Sequence, residues 1–360
     1  MNKKIKENLF SEYYKTMEID IPSIEKREFG IGIDKKIDAR HLSFKSKEDL
    51  RNYLVSTPPN FISHSTGYYQ FPSITPIEKK VWMGADVVFD LDIHSETKYG
   101  VYQKLESIKE DAIRLVEDFL VSDFGISKKD IVYVFSGNRG YHIHTRNNDY
   151  LNLRSDGRRE IVDYIMGSGL NYNNFFDEQE IKRGVVKLTG PTPDEGGYRG
   201  RFARETIRLL HEDPSVIARK FNDSAERDKF IEGINEGNWS RTSVKDIKNR
   251  LSVVADRLSV SCVNTDAGVT QDLSKLIRVP NTIHGDTGLV AKKVEKMDSF
   301  YPLKDAAVGW KGEKTVTFTE DVPELEFDST YGPFKNKETK SLPASIAVFF
   351  ALRRSATLSP

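Results

Sequence analysis

The stretch Val87-Val88-Phe89-Asp90-Leu91-Asp92-Ile93 decides the fold of this 360-residue chain. Its apolar residues alternate with polar ones, which is the period-two pattern of a strand with one buried face. Residues two apart on a strand point the same way, about 6.5–7 Å apart, so the carboxylates of Asp90 and Asp92 project from one face. Such paired oxygen ligands suit Mg²⁺ or Mn²⁺. An isolated Asp-x-Asp is more often the wet face of an edge strand, so other motifs must decide.

A second stretch, Ser136-Gly137-Asn138-Arg139-Gly140, follows the β-branched and aromatic run 131–135. Because alternation resumes after it, we predict a hairpin with two glycines in its turn. Glycines let backbone N–H groups approach an anion, and Arg139 adds a planar fork for phosphate oxygens. Beyond the turn, His142 and His144 share a face that we predict to be cationic and rich in donors. The alternatives are an ordinary polar hairpin or a zinc site, although no third zinc ligand is close in sequence.

A third stretch begins at Asp266 and continues through a predicted short helix at 270–277. Proline and glycine residues then exclude helix and place Arg278 and His284 on an extended, turning segment. A cation and an imidazole downstream of a carboxylate suit the sugar and triphosphate of a nucleotide. Taken alone, these residues would be better explained as solvated loop residues.

In their order and spacing the three stretches resemble the archaeo-eukaryotic primase superfamily, and within it the small catalytic subunit of archaeal DNA primase. The likeness covers roughly residues 10–145 and 250–352 and is carried by these residues: Phe89-Asp90-Leu91-Asp92, Ser136 to His142, Asp266, Arg278 and His284. It implies an α+β fold, a primase-type catalytic core with an RRM-like mixed sheet. Residues 1–155 and 255–360 would form a discontinuous catalytic domain, with 156–254 as a helical insertion subdomain.

The resemblance also implies roles for single residues. Three positions match the family's metal-binding catalytic aspartates: Asp90, Asp92 and Asp266. Five match its contacts to the incoming nucleotide: Ser136, Arg139, His142, Arg278 and His284. An acidic–basic pair near the site is expected at Glu28 and Arg40. Asn138 replaces a residue that is often basic or glycine, which alters phosphate contacts without removing the hairpin.

The activity that the resemblance implies is templated synthesis of short primers from nucleoside triphosphates, at the start of DNA replication, by two-metal nucleotidyl transfer with Mg²⁺ or Mn²⁺. The expected partners are a single-stranded DNA template and a larger, iron–sulfur-containing primase subunit in a heterodimer. Two alternatives remain open at this point. One is a primase-like repair or translesion polymerase that extends existing ends, and the other is a non-catalytic nucleic-acid-binding module.

Cysteine usage departs from the family. Relatives commonly carry a Cys/His zinc knuckle between the Asp-x-Asp strand and the next helix, whereas residues 94–109 contain no cysteine and Cys262 is the only one in the chain. A cysteine-based zinc knuckle therefore cannot be built, and we expect it to be absent.

Composition sets further expectations. The 54 basic and 54 acidic residues cancel, so nucleic-acid binding must come from a local patch and should be sensitive to salt. The longest apolar stretch, at 346–352, is far shorter than the ~18–20 residues that span a bilayer, and we expect it to be a C-terminal helix that closes the core. With a single cysteine and no apolar segment at residues 1–7, we expect a cytoplasmic, nucleoid-associated protein without membrane contact.

Overall fold

The computed structural model describes residues 3–182, 185–261 and 263–359, so Cys262 lies outside the described residues. Packing divides the chain into two compact units. Unit 1 consists of Met1–Val116, Ile126–Val162 and Thr265–Pro360, and unit 2 consists of Glu117–Gly125 and Asp163–Asn264. Helices and antiparallel sheets occur side by side, which confirms the expected α+β class.

Helices occur along the whole chain, with short 3₁₀ turns between them. The α-helices are α1 (Lys3–Thr16), α2 (Lys47–Ser56), α3 (Gly100–Gln103), α4 (Leu105–Arg114), α5 (Ser155–Ile165), α6 (Gly197–Glu212), α7 (Ser224–Asn235), α8 (Ile247–Arg250), α9 (Ser252–Ser261), α10 (Ala267–Gln271), α11 (Pro302–Asp305) and α12 (Ala344–Leu352). A π-helix, Leu115–Val121, continues from α4.

Most strands are short. They are β1 (Phe29–Gly32), β2 (Ala39–Leu42), β3 (Phe61–Ser65), β4 (Gly67–Tyr69), β5 (Trp82–Ala85), β6 (Val87–Asp92), β7 (Ile131–Phe135), β8 (Gly140–Thr145), β9 (Asp177–Lys182), β10 (Val185–Thr189), β11 (Leu276–Arg278), β12 (Lys293–Val294), β13 (Glu313–Phe318), β14 (Leu325–Glu326), β15 (Thr330–Tyr331), β16 (Thr339–Pro343) and β17 (Ala356–Leu358).

Two four-stranded sheets form the centre of unit 1. The first has the strand order β11-β3-β1-β2 and the second the order β12-β7-β8-β6. In place of the expected mixed sheet, every pairing between these strands is antiparallel. β6 is therefore an edge strand, paired only with β8 in its own sheet, and its other side is available to α10.

The short helix α10 joins the two sheets. Its Val269 packs with Val88 of β6 and Ile277 of β11 in one buried cluster. The helix lies at 267–271, whereas the sequence had predicted helix at 270–277. That prediction was wrong at its C-terminal end because Leu276 to Arg278 pair with β3, a partner about 210 residues earlier that local periodicity does not reveal.

The apolar C-terminal stretch forms α12, as expected, and seven of its nine residues are buried, including all six from Ile346 to Ala351. The helix packs against the three-stranded sheet β16-β13-β17. In the described part of the chain, no helix is both long and apolar enough to cross a membrane.

Unit 2 has its own core around Trp239, which is fully buried and donates from Nε1 to the carbonyl of Pro191 at 2.9 Å. Its rings contact those of Phe176 and Phe202. The sequence had predicted this region as mostly helical. It also contains the β9–β10 hairpin, whose charged residues carry little strand signal and which Leu188 anchors in the core.

A buried ionic network stabilises the β1–β3 side of unit 1. Glu28, fully buried, accepts from Lys80 Nζ at 2.8 Å and from Arg40 Nε at 3.0 Å. Burial alone would raise the pKa of Glu28, but the hydrogen bonds from Lys80 and Arg40 outweigh it, so the pKa is lowered. Lys80 is itself fully buried and also donates to the carbonyl of Pro72. Each charge in this network depends on its partner for solvation.

We predict that Lys80→Met strongly destabilises the protein, because it leaves the buried carboxylate of Glu28 without its main partner. The free energy of unfolding should fall by about 3–5 kcal/mol. Urea denaturation followed by circular dichroism measures this change.

The matched control is Lys79→Met, since Lys79 is the exposed neighbour and loses the same charge. Its unfolding free energy should change by less than about 0.5 kcal/mol. Equal stability of the two variants would contradict the structural role given to Lys80.

Candidate active site

Strand β6 presents Asp90 and Asp92 on the face that is shared with Val88, as its alternation predicts. The opposite face carries Phe89 and Leu91, both fully buried, and α4 contacts this strand. In the pairing with β8, Asp90 lies opposite His142 and Asp92 lies opposite Gly140. The two carboxylates are thus held at one sheet edge, and Asp92 is the nearer of the two to the 136–140 turn.

Asp266 is brought to this edge by the backbone. Its N–H donates to the carbonyl of Asp90 at 2.9 Å, and the hydroxyl of Thr265 donates to the same carbonyl at 3.1 Å. One turn later, Thr270 Oγ1 donates to the carbonyl of Val88 at 2.8 Å. Asp266 is the N-cap of α10, where its side chain accepts from the N–H of Gly268 at 2.9 Å. The carboxylate of Asp266, distant in sequence, therefore lies beside the strand that carries Asp90 and Asp92.

The proximity of the three carboxylates changes the pKa of Asp90. Burial, followed by the negative charges of Asp92 and Asp266, raises the pKa of Asp90 to about 7. Its Oδ1 atom is buried without a hydrogen-bond partner. Nε2 of His142 is 3.6 Å from that oxygen, which is too long for a hydrogen bond. A divalent cation would remove this repulsion, so the donor set fits a hard metal ion.

The orientation of the other two carboxylates is set by local partners. Arg139 binds Asp92 through both Nε and Nη2 at 3.0 Å, and the carboxylate of Asp266 caps α10. Within residues 3–182, 185–261 and 263–359, no group of three or more histidine, cysteine, aspartate or glutamate side chains is already arranged as a metal site. The carboxylates have the chemistry for metal binding, and their side chains would have to turn to use it.

The 136–140 turn is stabilised by hydrogen bonds between its own residues. Ser136 Oγ accepts the N–H groups of Asn138 at 3.4 Å and Gly140 at 3.2 Å. Gly137 has φ +80°, and a Cβ at Gly140 would lie 1.9 Å from the carbonyl oxygen of Leu91, so neither position tolerates a side chain. Thr287 Oγ1 donates to the carbonyl of Gly137 at 2.6 Å, which ties the turn to the loop that carries His284.

Arg278 is a cation of the cavity with one buried N–H group that could bind a ligand. Its Nη1 is buried without a hydrogen-bond partner, and its guanidinium lies 5.2 Å from the ring centroid of Phe61. Burial lowers the pKa of Arg278 to about 10, so the side chain stays charged at neutral pH. A buried, charged donor without an acceptor favours an anionic ligand.

The backbone selects the tautomer of His284. Nδ1 accepts the N–H of Asp286 at 3.2 Å, so the proton of the neutral ring is on Nε2. Burial, and then the positive charges of Arg278 and Lys36, hold the pKa of His284 well below its usual value. The ring therefore acts as a neutral hydrogen-bond donor.

The histidines after the turn do not form the cationic face that the sequence predicted. All of β8 is buried, and burial lowers the pKa of His142 to about 3 and holds that of His144 well below its usual value. The ring centroids of His142 and His144 are 6.3 Å apart, and those of His144 and His64 are also 6.3 Å apart. These imidazoles are neutral because they are buried, with His64 of the first sheet next to His144, which alternation within one strand could not reveal.

The structure brings all eight predicted site residues to one cavity of about 540 Å³. They are Asp90, Asp92, Ser136, Arg139, His142, Asp266, Arg278 and His284. The pair Glu28 and Arg40 is formed as expected, but it belongs to the buried network described above, and Arg40 Nη2 also donates to the carbonyl of Ser274 at 3.4 Å.

Six further residues of the cavity wall were not predicted from the sequence: Lys36, Ile37, Ser63, Val269, Lys275 and Asp286. The last two flank predicted motif residues, and their charges were the available signal. The first three come from the β1–β2 hairpin and β3, and only sheet pairing brings them to the site.

A larger cavity of about 670 Å³, also in unit 1, lies between Tyr13 and the segment from Lys292 to Phe300. Its lysine and acidic residues partly neutralise one another, as in the 2.8 Å pair of Lys293 with Asp20 at its edge. It lacks the three clustered aspartates, and its one shifted group is Tyr13, whose pKa burial raises so that the phenol stays neutral, so the smaller cavity is the candidate active site.

Comparisons with known proteins agree with this geometry. A model of the DNA primase small subunit family matches residues 89–295, which include all three aspartates. The DNA primase small subunit PriS of Methanothrix thermoacetophila is 36% identical over 335 residues, covering 83% of this chain and 85% of that protein. PriS of Thermoplasma volcanium is 33% identical, covering 95% of this chain and 93% of that protein. PriS of Methanocella arvoryzae is 30% identical, covering 98% and 97%.

The family model spans more than half of the chain, and these relatives align along most of its length. All eight predicted site residues, from Asp90 to His284, lie within the matched residues. The chain therefore belongs to the DNA primase small subunit family.

Proposed function

We propose that this chain makes primers by metal-dependent nucleotidyl transfer at the cavity of Asp90, Asp92 and Asp266. As a DNA primase small subunit it is a nucleotidyltransferase that makes primers in DNA replication. In the proposed reaction the 3′-hydroxyl of one nucleotide attacks the α-phosphate of the next, and pyrophosphate leaves. The observation that carries the proposal is the meeting of Asp90, Asp92 and Asp266 in one cavity with Arg278, whose buried Nη1 has no acceptor.

Bound Mg²⁺ or Mn²⁺ would supply the chemistry of a two-metal site, which lowers the pKa of the attacking hydroxyl and neutralises charge on the leaving group. Asp90, Asp92 and Asp266 would hold the ions. The choice between Mg²⁺ and Mn²⁺ is part of the proposal, and the family itself implies a divalent metal.

The register of β6 gives the proposed reaction a direction. Asp92 lies at the turn, opposite Gly140, whereas Asp90 and Asp266 lie farther along the strand. A triphosphate at the 136–140 turn would place its pyrophosphate at that end. The attacking 3′-hydroxyl must then approach from the opposite end, on the side of Asp266, because the displacement is in line.

The triphosphate would be held by groups that the fold has already oriented. Arg139 donates to Asp92 from Nε and keeps Nη2 3.0 Å from the same oxygen, which leaves N–H groups of the guanidinium for phosphate oxygens. Arg278 has a buried N–H without an acceptor, and His284 presents Nε2–H as a neutral donor. Because these groups need no further ordering, the site is preorganised for charge that develops on the phosphates.

We extend the proposal to assembly and location. Unit 1 would be the catalytic domain and unit 2 the insertion. The substrates would be a single-stranded DNA template and nucleoside triphosphates, and the partner a large primase subunit with an iron–sulfur cluster, in a cytoplasmic, nucleoid-associated heterodimer. The naming of the relatives as small subunits supports a larger partner.

We predict that Asp90→Ala, Asp92→Ala and Asp266→Ala each abolish primer synthesis. Loss of several kcal/mol of transition-state stabilisation corresponds to at least a ~100-fold lower kcat. The assay uses unprimed single-stranded DNA with nucleoside triphosphates and Mg²⁺ or Mn²⁺, and resolves products on gels.

The matched control is Asp298→Ala, an exposed aspartate outside the cavity, which should retain full activity. Circular dichroism checks that each variant folds. Primer synthesis by a folded Asp90→Ala protein would refute the assignment, and activity of the wild-type chain restricted to pre-primed ends would indicate an end-extending polymerase instead.

We also predict that Asp90 makes the stability of the protein pH-dependent when a chelator removes metal. The folded pKa of about 7 lies above the unfolded value of about 3.9, so the folded state binds the extra proton between these values. Stability should therefore fall as pH rises through this window, by up to about 1.4 kcal/mol per pH unit, and level off above pH 7. Asp90→Asn removes this contribution.

The measurement is the unfolding free energy of wild type and Asp90→Asn at several pH values from 5 to 8, with chelator present. The advantage of the variant should grow toward pH 7 and then stay constant, whereas Asp298→Asn should follow the wild type throughout. Parallel curves for wild type and Asp90→Asn would show that the carboxylates do not interact as described.

A further inference from the structure

Thr270 is a buried threonine next to the candidate active site that the proposed mechanism does not use. Its side chain is 1% exposed, and its Oγ1 donates to the carbonyl of Val88 at 2.8 Å. Its N–H donates to the carbonyl of Asp266 at 3.4 Å, one turn earlier in α10. One residue thus connects the backbone of Asp266 to the strand that carries the other two carboxylates of the site.

The hydroxyl of Thr270 does not bind within its own helix. A threonine hydroxyl inside a helix often donates to the carbonyl four residues earlier. In α10 that carbonyl belongs to Asp266, and it receives the N–H groups of Val269 at 3.0 Å and of Thr270 at 3.4 Å. The hydroxyl binds the edge of β6 instead. Because α10 has only five residues, its position depends on such bonds to other elements.

The two attachment points of α10 match the spacing of β6. Val88 and Asp90 are two residues apart on the strand, so their carbonyl groups at the edge are about 6.5–7 Å apart. From Asp266 to Thr270 a helix rises about 6 Å. One turn of α10 therefore spans the interval between the two carbonyl groups, with the N–H of Asp266 at one and the hydroxyl of Thr270 at the other.

Two points of attachment fix the angle of α10 on β6 as well as its contact with the strand. The attachment at Asp266 uses the backbone, whereas the other end depends on the hydroxyl of Thr270 and on the packing of Val269. Without this hydroxyl the helix could rotate about its contact with Asp90. The carboxylate of Asp266 would then move relative to the other two, and a metal site loses affinity when its ligands are no longer held in position.

We propose that Thr270 is a positioning residue of the metal site, whose hydroxyl holds the carboxylate of Asp266 in its position beside the other two. This inference rests on the proposed function, in which the three carboxylates hold Mg²⁺ or Mn²⁺. Val269 lines the cavity and Thr270 does not, so Thr270 acts through α10 rather than by contact with metal or nucleotide.

The test compares Thr270→Val, which keeps the shape of the side chain and removes the donor, with the matched control Thr145→Val. Thr145 is also 1% exposed, and its Oγ1 donates to another carbonyl of β6, that of Val87, at 2.9 Å. It belongs to β8 and does not hold α10. Both variants lose one buried hydrogen bond to β6, so urea denaturation should show similar losses of stability.

The affinity of the full chain for Mn²⁺, without nucleotide, is measured by electron paramagnetic resonance of the free ion. We expect Thr270→Val to bind Mn²⁺ about 10-fold more weakly than wild type, and Thr145→Val to stay within about twofold. Thr270→Ser restores the donor and should bind like wild type. The Mn²⁺ concentration for half-maximal primer synthesis should rise by the same factor as the dissociation constant. Equal Mn²⁺ affinity of Thr270→Val and Thr145→Val would overturn the inference.

Circular dichroism checks that the variants fold. Thr270→Ala is a second variant without the donor, and the space it leaves can admit a water to the carbonyl of Val88. It should show the same loss of Mn²⁺ affinity as Thr270→Val, and wild-type affinity of a folded Thr270→Ala protein would also contradict the proposal.

A double variant tests whether Thr270 acts through Asp266. Asp266→Asn keeps an N-cap residue for α10 and removes the charge of the ligand. In this background Thr270→Val should change the Mn²⁺ affinity by less than about twofold, because the carboxylate that Thr270 positions is gone. A further loss as large as in the wild-type background would show that Thr270 does not act through Asp266.

The outcomes separate this inference from the proposed function. A folded wild-type chain that neither binds Mn²⁺ nor makes primers would refute the function. A wild type that does both, together with a Thr270→Val protein that binds Mn²⁺ as tightly as Thr145→Val, would refute the role of Thr270 alone.

Discussion

The hydrogen bond from the N–H of Asp266 to the carbonyl of Asp90 is the contact on which the site depends. It exists because β6 is an edge strand, whose outer carbonyl groups are free to accept from another segment. Thr265 and Thr270 use the same edge, so α10 is attached by three hydrogen bonds and by the packing of Val269. An unpaired strand edge, usually a liability, here brings the third carboxylate to the other two.

The carboxylates repel one another, and this repulsion destabilises the folded state, so other interactions in unit 1 must offset it. Burial and like charge keep Asp90 half-protonated near pH 7, and Arg139 neutralises Asp92. The surrounding fold supplies the rigidity: Glu28 and Lys80 are fully buried and paired on the neighbouring sheet. The site is therefore poised for cations, because cations remove a repulsion that the folded chain already contains.

The cavity combines its carboxylates with several cations. Arg139, Lys275 and Arg278 line it together with the three aspartates. The imidazoles of His142 and His284 also line it, and they are neutral and add no charge. The antiparallel register of β6 and β8 places Asp92, and not Asp90, opposite Gly140 of the turn.

The sequence by itself determined what local rules govern: the alternation of β6, the strand at 131–135 and the glycine turn. The eight site residues were predicted from the resemblance to the family, and the structure brings them to one cavity. It misplaced the helix after Asp266 and missed the β9–β10 hairpin, since both depend on partners distant along the chain. Only the tertiary structure decided that the histidines of β8 are neutral and that Lys275 joins the cavity. Burial and the approach of other segments set charge and proximity, and a period of two along one strand contains neither.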